Sequence, residues 1–400
     1  MRILLPVFLV LLSAGCGGKS ALYVDEWGEG AGGDTGAPTT SGTGGPDGRE
    51  IVALTAGWAQ TCALTKDGAV HCWGSGAEGV AESPVPVLVT GVPGPTAAIG
   101  SGGGLSCAVS ADGEVRCWGY DSSGVLGGQV GFLGGPTLVP GLVGDAKAVE
   151  LGDTHACVLL AGGVLQCWGS NGSGQLGLGN AAEQVLPPTT VPGLEGVVAA
   201  SAGVSHTCAI VASGELYCWG NNSHGEIGVG AVSQWEPTPK LVNSSTGFVD
   251  VCAGWDHTCG VDSAGAVLCW GSNVRGQLAD GSQNDYPYPK IVPGLPAAVD
   301  VACGLDHVCA VLADGTARCW GGNIRGQAGN GESDDFAETT PQVVKGLAGA
   351  ALVTAGDNHA CAAIAGGAVK CWGDNAAGQL GNGILGPEEQ SNVPVDVEEW

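Results

Sequence analysis

Beyond residue 50 the apolar positions of this chain come in short runs separated by glycine-rich breaks. The stretch from Thr258 to Gly271 shows the arrangement: two apolar runs, around Cys259-Gly260-Val261 and Val267-Leu268-Cys269, flank the polar turn Asp262-Ser263-Ala264-Gly265. Short runs bounded by glycine predict strands, too short for helices. The same layout occurs seven times. In every unit glycine stands at the sixth place after the first cysteine (Gly68, Gly113, Gly163, Gly214, Gly265, Gly315, Gly367), and three units read Asp-Gly there. This predicts a hairpin with a three-residue loop, its glycine supplying a positive φ.

The units are spaced evenly. Each ends in Cys-Trp-Gly, and the tryptophans (Trp73, Trp118, Trp168, Trp219, Trp270, Trp320, Trp372) follow one another at intervals of 45 to 52 residues. A fixed period of this size predicts one repeat architecture in place of separate domains. A proline-valine segment follows each Cys-Trp-Gly, for example Pro136-Thr137-Leu138-Val139 and Pro341-Gln342-Val343-Val344. Proline belongs on a sheet edge, so this segment reads as an outer strand. The first hairpin has no such strand ahead of it, and Val393–Val397 is left at the C-terminus. Strand counting therefore predicts that the C-terminal strand joins the first blade and clasps the ring shut.

Cysteine usage follows the same period. Nine residues separate the members of each pair: Cys62-Cys72, Cys107-Cys117, Cys157-Cys167, Cys208-Cys218, Cys259-Cys269, Cys309-Cys319 and Cys361-Cys371. Residues facing each other across a hairpin have Cα atoms roughly 4.5–5.5 Å apart, within reach of a disulfide. Seven bridges inside the repeats are predicted. Nine intervening residues is not a usual zinc-ligand spacing. Cys252 and Cys303 fall outside the pattern, on corresponding strands of neighbouring units and one residue out of step, which predicts a bridge between units.

The N-terminus has a different character. Residues 1–15 carry one base, Arg2, then an apolar run and small residues, the layout of a secretory signal and too short to span a membrane. Leu12-Ser13-Ala14-Gly15-Cys16 resembles a bacterial lipobox, with Cys16 as the lipidated residue. Gly17 after it implies, by resemblance to enteric lipoproteins, the outer membrane as destination. Residues 16–49, rich in glycine, threonine and serine, read as a flexible tether, because they hold too little apolar surface to offset ordering entropy. Residues 50–400 are the repeat body. The formal net charge is −26. Such a chain repels nucleic acid and anionic lipid, so membrane contact is expected through the anchor alone.

The combined pattern, Gly-x-x-His-x-Cys-Ala before the hairpin and Cys-Trp-Gly-x-Asn-x-x-Gly-Gln-Leu-Gly-x-Gly after it, resembles the repeat of the regulator of chromosome condensation family. Gly203-Val204-Ser205-His206 and Asn171-Gly172-Ser173-Gly174-Gln175-Leu176-Gly177-Leu178-Gly179 carry it clearly. The first two units depart from it, with Gln60 and Leu105 in place of the histidine. The resemblance implies an all-β fold, a seven-bladed β-propeller of four-stranded blades.

Function is less legible. His155, His206, His257, His307 and His359 recur one per unit, as structural hydrogen-bonding residues do, and no metal or cofactor is expected. No hydrolase elbow, metalloprotease His-Glu pair or phosphate loop is present. The expected function is a non-enzymatic binding scaffold: an exported, lipid-anchored monomer of the cell envelope that docks a protein or peptide partner. The alternative is a carbohydrate-active lyase or hydrolase using a propeller face. Candidate docking residues are the aromatics of the loops where the units differ: Phe132, Trp235, Tyr286, Tyr288 and Phe336.

Overall fold

The computed structural model describes residues 11–14, 18–21, 50–76, 82–122, 124–126, 131–333 and 337–398. Cys16, the tether beyond residue 21 and Phe336 lie outside them. Of the N-terminal segment, two short strands are described, Leu11–Ala14 and Gly18–Ala21, which pair antiparallel, with Gly18 opposite Thr55.

Each repeat folds into four consecutive antiparallel strands, and seven such blades follow one another. Among the described residues there is no helix. In blade 5 the strands are Phe248–Ala253, His257–Asp262, Val267–Gly271 and Tyr286–Ile291. The hairpin has the expected loop: in blade 1 Gly68 Nα–H donates to Thr65 O at 2.9 Å, and Gly68 has φ 85°.

The predicted clasp is not how the ring closes. The C-terminal strand, Gln390–Asp396, pairs with Val369–Asp374 in the seventh blade. The first blade uses its own outer strand, Glu82–Leu88. Each outer strand belongs to the hairpin that precedes it, because a short connection returns the chain beside the third strand of the same sheet. Counting alone does not separate this from a swapped strand. Closure is made by packing of blade 7 on blade 1. Trp73 Nε1 donates to Gln379 O at 2.8 Å and Gly383 N to Pro84 O at 2.9 Å.

All seven cysteine pairs within repeats are bonded, with Cα atoms 4.0–4.1 Å apart. Cys252 and Cys303 are bonded between blades 5 and 6, with a Cα separation of 5.4 Å. The seven tryptophans are essentially inaccessible, and their apolar neighbours come from adjacent blades: Trp219 and Trp270 share one cluster with Leu176 and Ile227.

The repeated polar residues lock blade to blade. At the junction of blades 3 and 4, His155 Nε2 lies 2.8 Å from Thr207 Oγ1. The Thr207 hydroxyl donates to Gln175 O at 2.8 Å, and Trp219 Nε1 donates to the same carbonyl at 2.9 Å. With its proton committed to Gln175, Thr207 accepts from the imidazole, so His155 carries its proton on Nε2. Blades 4 and 5 repeat the device with His206, Thr258 and Glu226 O, and blades 7 and 1 with His359, Thr61 and Gln379 O. Burial holds His155 down to about 4, and His206 and His359 down to about 3, so they are neutral. The glycine of Gly-x-x-His makes room for this contact: a Cβ at Gly203 would collide with Gly254 O and sit 2.8 Å from His206 Cε1.

Candidate docking face

Strand order puts two sets of loops on one face of the ring. The Gly-x-x-His loops lie near the central axis, and the Asn-x-x-Gly-Gln-Leu loops lie outside them. The outer loops are built by their own motif. Asn273 Oδ1 accepts Leu278 N at 2.9 Å, and Gln277 Oε1 accepts Arg275 N at 2.7 Å. Asn171, Asn323 and Asn375 act in the same way. The asparagine and glutamine are therefore consumed in holding the loop, while the residues between them, such as Val274 and Ile324, point outward, more than half exposed.

The inner loops form a mouth around the axis. Their second residues are Trp58, Gly103, Asp153, Val204, Trp255, Leu305 and Asp357. Backbone bonds link neighbours around the ring: Trp58 N to Gly103 O at 2.9 Å, Trp255 N to Leu305 O at 3.2 Å, Leu305 N to Asp357 O at 3.3 Å and Asp357 N to Gly57 O at 3.3 Å. Trp255 is 50% exposed and Trp58 38%. The Trp58 side chain hydrogen-bonds Asp153, whose Oδ1 has no partner among the described residues. Burial, with Asp153 and Asp306 nearby, pushes the Asp357 carboxyl up to about 7.

A second polar cluster bridges blades 4 and 5. Glu226 stands where the other well-formed outer loops have glutamine. Its Oε2 accepts His224 N at 2.8 Å, and Asn221 Nδ2 donates both to Glu226 and, at 3.2 Å, to Asp256 Oδ1. Burial pushes Glu226 up to about 7 and raises Asp256. His224 Nδ1 donates to Asp285 Oδ2 at 2.7 Å, which raises the imidazole pKa. Among the described residues no group of three or more His, Cys, Asp or Glu is placed to hold a metal ion.

The sequence-selected aromatics sit on the outer strands rather than in the loops before them. Trp235 and Tyr286 each begin their strand, Tyr288 follows within it, and Phe132 lies in Gly131–Leu138. The strands start earlier than proline placement suggests, because pairing resumes opposite Gly220 and Gly271 after an irregularity in register. Tyr286 and Tyr288 are ring neighbours at 5.8 Å, with Lys290 Nζ 5.1 Å from the Tyr286 centroid. Trp235 pairs in register with Asn221 and so adjoins the blade 4–5 cluster. Phe132 stands apart on blade 2. Trp58 and Trp255 were not among the selected residues. Their signal is variability at the second place of an otherwise repeated Gly-x-x-His motif.

The opposite face carries the hairpin turns and an open cavity of about 400 Å³ lined by Leu194, Glu195, Ser213, Glu215 and Tyr217. An apolar groove of about 310 Å³ lies between blades 2 and 3, with Val139, Pro140, Trp168 and Pro187 in its wall. Neither brings a histidine together with a carboxylate.

The RCC1-like domain model matches residues 84–400, and the model of the regulator of chromosome condensation (RCC1) repeat matches residues 51–80. The chain belongs to the RCC1-like family. Among curated relatives of the family, it is 35% identical over 91 residues to "Probable E3 ubiquitin-protein ligase HERC4" of Rattus norvegicus, which is 22% of this chain and 9% of that protein. It is 37% identical over 86 residues to the ultraviolet-B receptor UVR8 of Arabidopsis thaliana, 21% of this chain and 20% of that one. The matched segments thus span a small part of these relatives. In three dimensions the RCC1-like propeller of this chain superposes on human WBSCR16 with a TM-score of 0.71 at 20% identity, covering 80% of this chain and 85% of that one. For Prp20p of Saccharomyces cerevisiae, described with its binding to Gsp1p and histones, the TM-score is 0.66 at 21% identity, covering 77% and 80%. These likenesses establish the fold.

Proposed function

We propose that this RCC1-like propeller is an exported, lipid-anchored protein of the cell envelope that docks a protein partner on its loop face. One observation carries the docking reading. Equivalent buried positions repeat from blade to blade and are used up in loop building and blade locking, whereas the exposed loop-face positions vary among the blades. A surface of non-equivalent aromatic, apolar and acidic residues on a rigid frame is what a specific interface requires. Binding to Gsp1p and histones by Prp20p is a precedent for protein recognition on this fold. Net negative charge sets this chain apart from nucleic-acid binders.

Export is supported by the eight disulfides, which persist in oxidising compartments, and by the Leu12-Ser13-Ala14-Gly15-Cys16 motif. Metabolic labelling with a radioactive fatty acid should mark the native chain and leave Cys16→Ser unlabelled; label on the variant would remove the anchor. Docking is tested with a photocrosslinker placed in cells at Val274 on the loop face or at Val143 on the opposite face, both exposed. A discrete adduct from position 274 and none from 143 is expected. Equal adducts from both, or none, would contradict the reading.

A further inference from the structure

The mouth lies at one end of a ring whose inner strands are also contacted by Leu11–Ala14 and Gly18–Ala21, and it combines two features. The first is an apolar rim: Trp255 and Trp58 are exposed and Val204 and Leu305 half-buried, all on one ring of backbone hydrogen bonds. A rim held by backbone bonds is pre-organised, so little ordering entropy is lost when a partner seats on it. The second is a group of acidic side chains with no basic partner among the described residues. Asp153 hydrogen-bonds the Trp58 side chain and its Oδ1 has no partner among the described residues, and Asp357 lies close enough to Asp153 and Asp306 for their charges to oppose its ionisation. Salt bridges on this face reach only outward: Arg275 pairs with Asp306 at 3.8 Å, Arg325 with Asp374 at 3.8 Å and His224 with Asp285 at 2.7 Å. Among the described residues, no ion pair reaches Asp153 or Asp357.

We propose that the mouth receives a lysine or arginine side chain of the partner protein, presented on an apolar segment. This rests on the docking reading and names the chemistry of its partner. Charge complementarity selects the occupant. A cation between Asp153 and Asp357 relieves the repulsion between them, and the indole faces add cation–π attraction. An acidic segment would add to a cluster already short of positive charge. A purely apolar segment would bury the two carboxylates without a partner.

The test uses the purified protein labelled with ¹⁵N-tryptophan, and a blocked peptide, acetyl-Gly-Leu-Arg-Leu-Gly-amide. Indole N–H signals of Trp58 and Trp255, assigned with Trp58→Phe and Trp255→Phe, should shift on titration, while those of the seven buried tryptophans stay in place. The core signals also report that each variant is folded. Asp153→Asn combined with Asp357→Asn should weaken binding roughly tenfold or more. The same peptide with norleucine or glutamate for arginine should leave the two indoles unmoved. Silence of both indoles toward the arginine peptide, an equal response to the glutamate or norleucine peptide, or full affinity in the double Asn variant would each overturn the proposal. If the mouth ignores the peptide while position 274 still crosslinks, the docking reading survives and this one fails.

Discussion

Two groups of blade junctions solve the same problem with different chemistry. At junctions 3–4, 4–5 and 7–1, a buried histidine reaches a threonine on the next blade, and that threonine reaches the carbonyl that also receives the tryptophan. At junctions 5–6 and 6–7 the threonine is gone: Val308 and Ala360 occupy its place. Neither ring nitrogen of His257 has a partner among the described residues, and burial holds the ring down to about 3. The same holds for both ring nitrogens of His307, and burial holds that ring down to about 4. Other locks appear where the threonine is lost. Asp250 Oδ2 accepts Val301 N at 3.1 Å across junction 5–6, and Asp300 Oδ2 accepts Val353 N at 2.7 Å across 6–7. The Cys252–Cys303 bridge spans 5–6 as well. A ring needs every junction held, and it tolerates different means of holding each one.

Acid is the largest lever, because it acts on all five histidines of the repeated motif at once. Their folded pKa values, about 3 to 4, lie below the unfolded value of 6.5, so the unfolded chain takes up protons first. Their contribution is complete above pH 6.5 and is lost progressively as pH falls toward 3. A melting temperature measured across that range should fall steeply. His257→Leu should flatten the fall at little cost near neutrality, since Leu105 already fills this place in blade 2. A fall no shallower in the variant than in the native chain would count against this assignment.

Next in size is the bridge between blades. Cys252→Ser with Cys303→Ser opens a loop of 51 residues, worth about 4 kcal/mol on the chain-entropy model, against roughly 3 for a bridge within one hairpin. Urea denaturation of this variant beside Cys62→Ser with Cys72→Ser should rank them in that order. Asp300→Ala, which removes the acceptor of Val353 N, should cost about 1–3 kcal/mol in the same assay. Glu226 gives a smaller effect of opposite pH sense. Its folded pKa of about 7 exceeds the unfolded 4.5, so its contribution is present below pH 4.5 and is lost as the pH rises through 7. Glu226→Gln should therefore raise the melting temperature at pH 8 and leave it nearly unchanged at pH 4; the reverse ordering would refute the linkage.

Most of the frame was legible in the residues themselves. The period, the Asp-Gly turns and the cysteine spacing lead to hairpin, blade and bridge, because each depends on local geometry. Ring closure was not legible, since a Gln390–Asp396 strand satisfies the same count whether it pairs with blade 7 or blade 1. The face was legible in part. Trp235, Tyr286 and Tyr288 stood out as aromatics in variable stretches, whereas Trp58 and Trp255 lay inside the repeated motif and took their meaning from the ring around the mouth. The exchange of locks between junctions was hidden for a related reason: Val308 and Ala360 look like ordinary strand residues until the histidine of the preceding blade is placed against them.

The mirror pair Thr258→Val and Val308→Thr tests that exchange most directly. The first leaves His206 unpartnered, as His257 is now, and should cost about 1–3 kcal/mol. The second gives His257 a threonine, with Gln277 O, already bonded by Trp320 Nε1 at 2.9 Å, as acceptor for the hydroxyl, and should gain about 0.5–1.5 kcal/mol. Opposite signs in urea denaturation at pH 7.5 are the predicted result. Destabilisation by both substitutions would contradict the account.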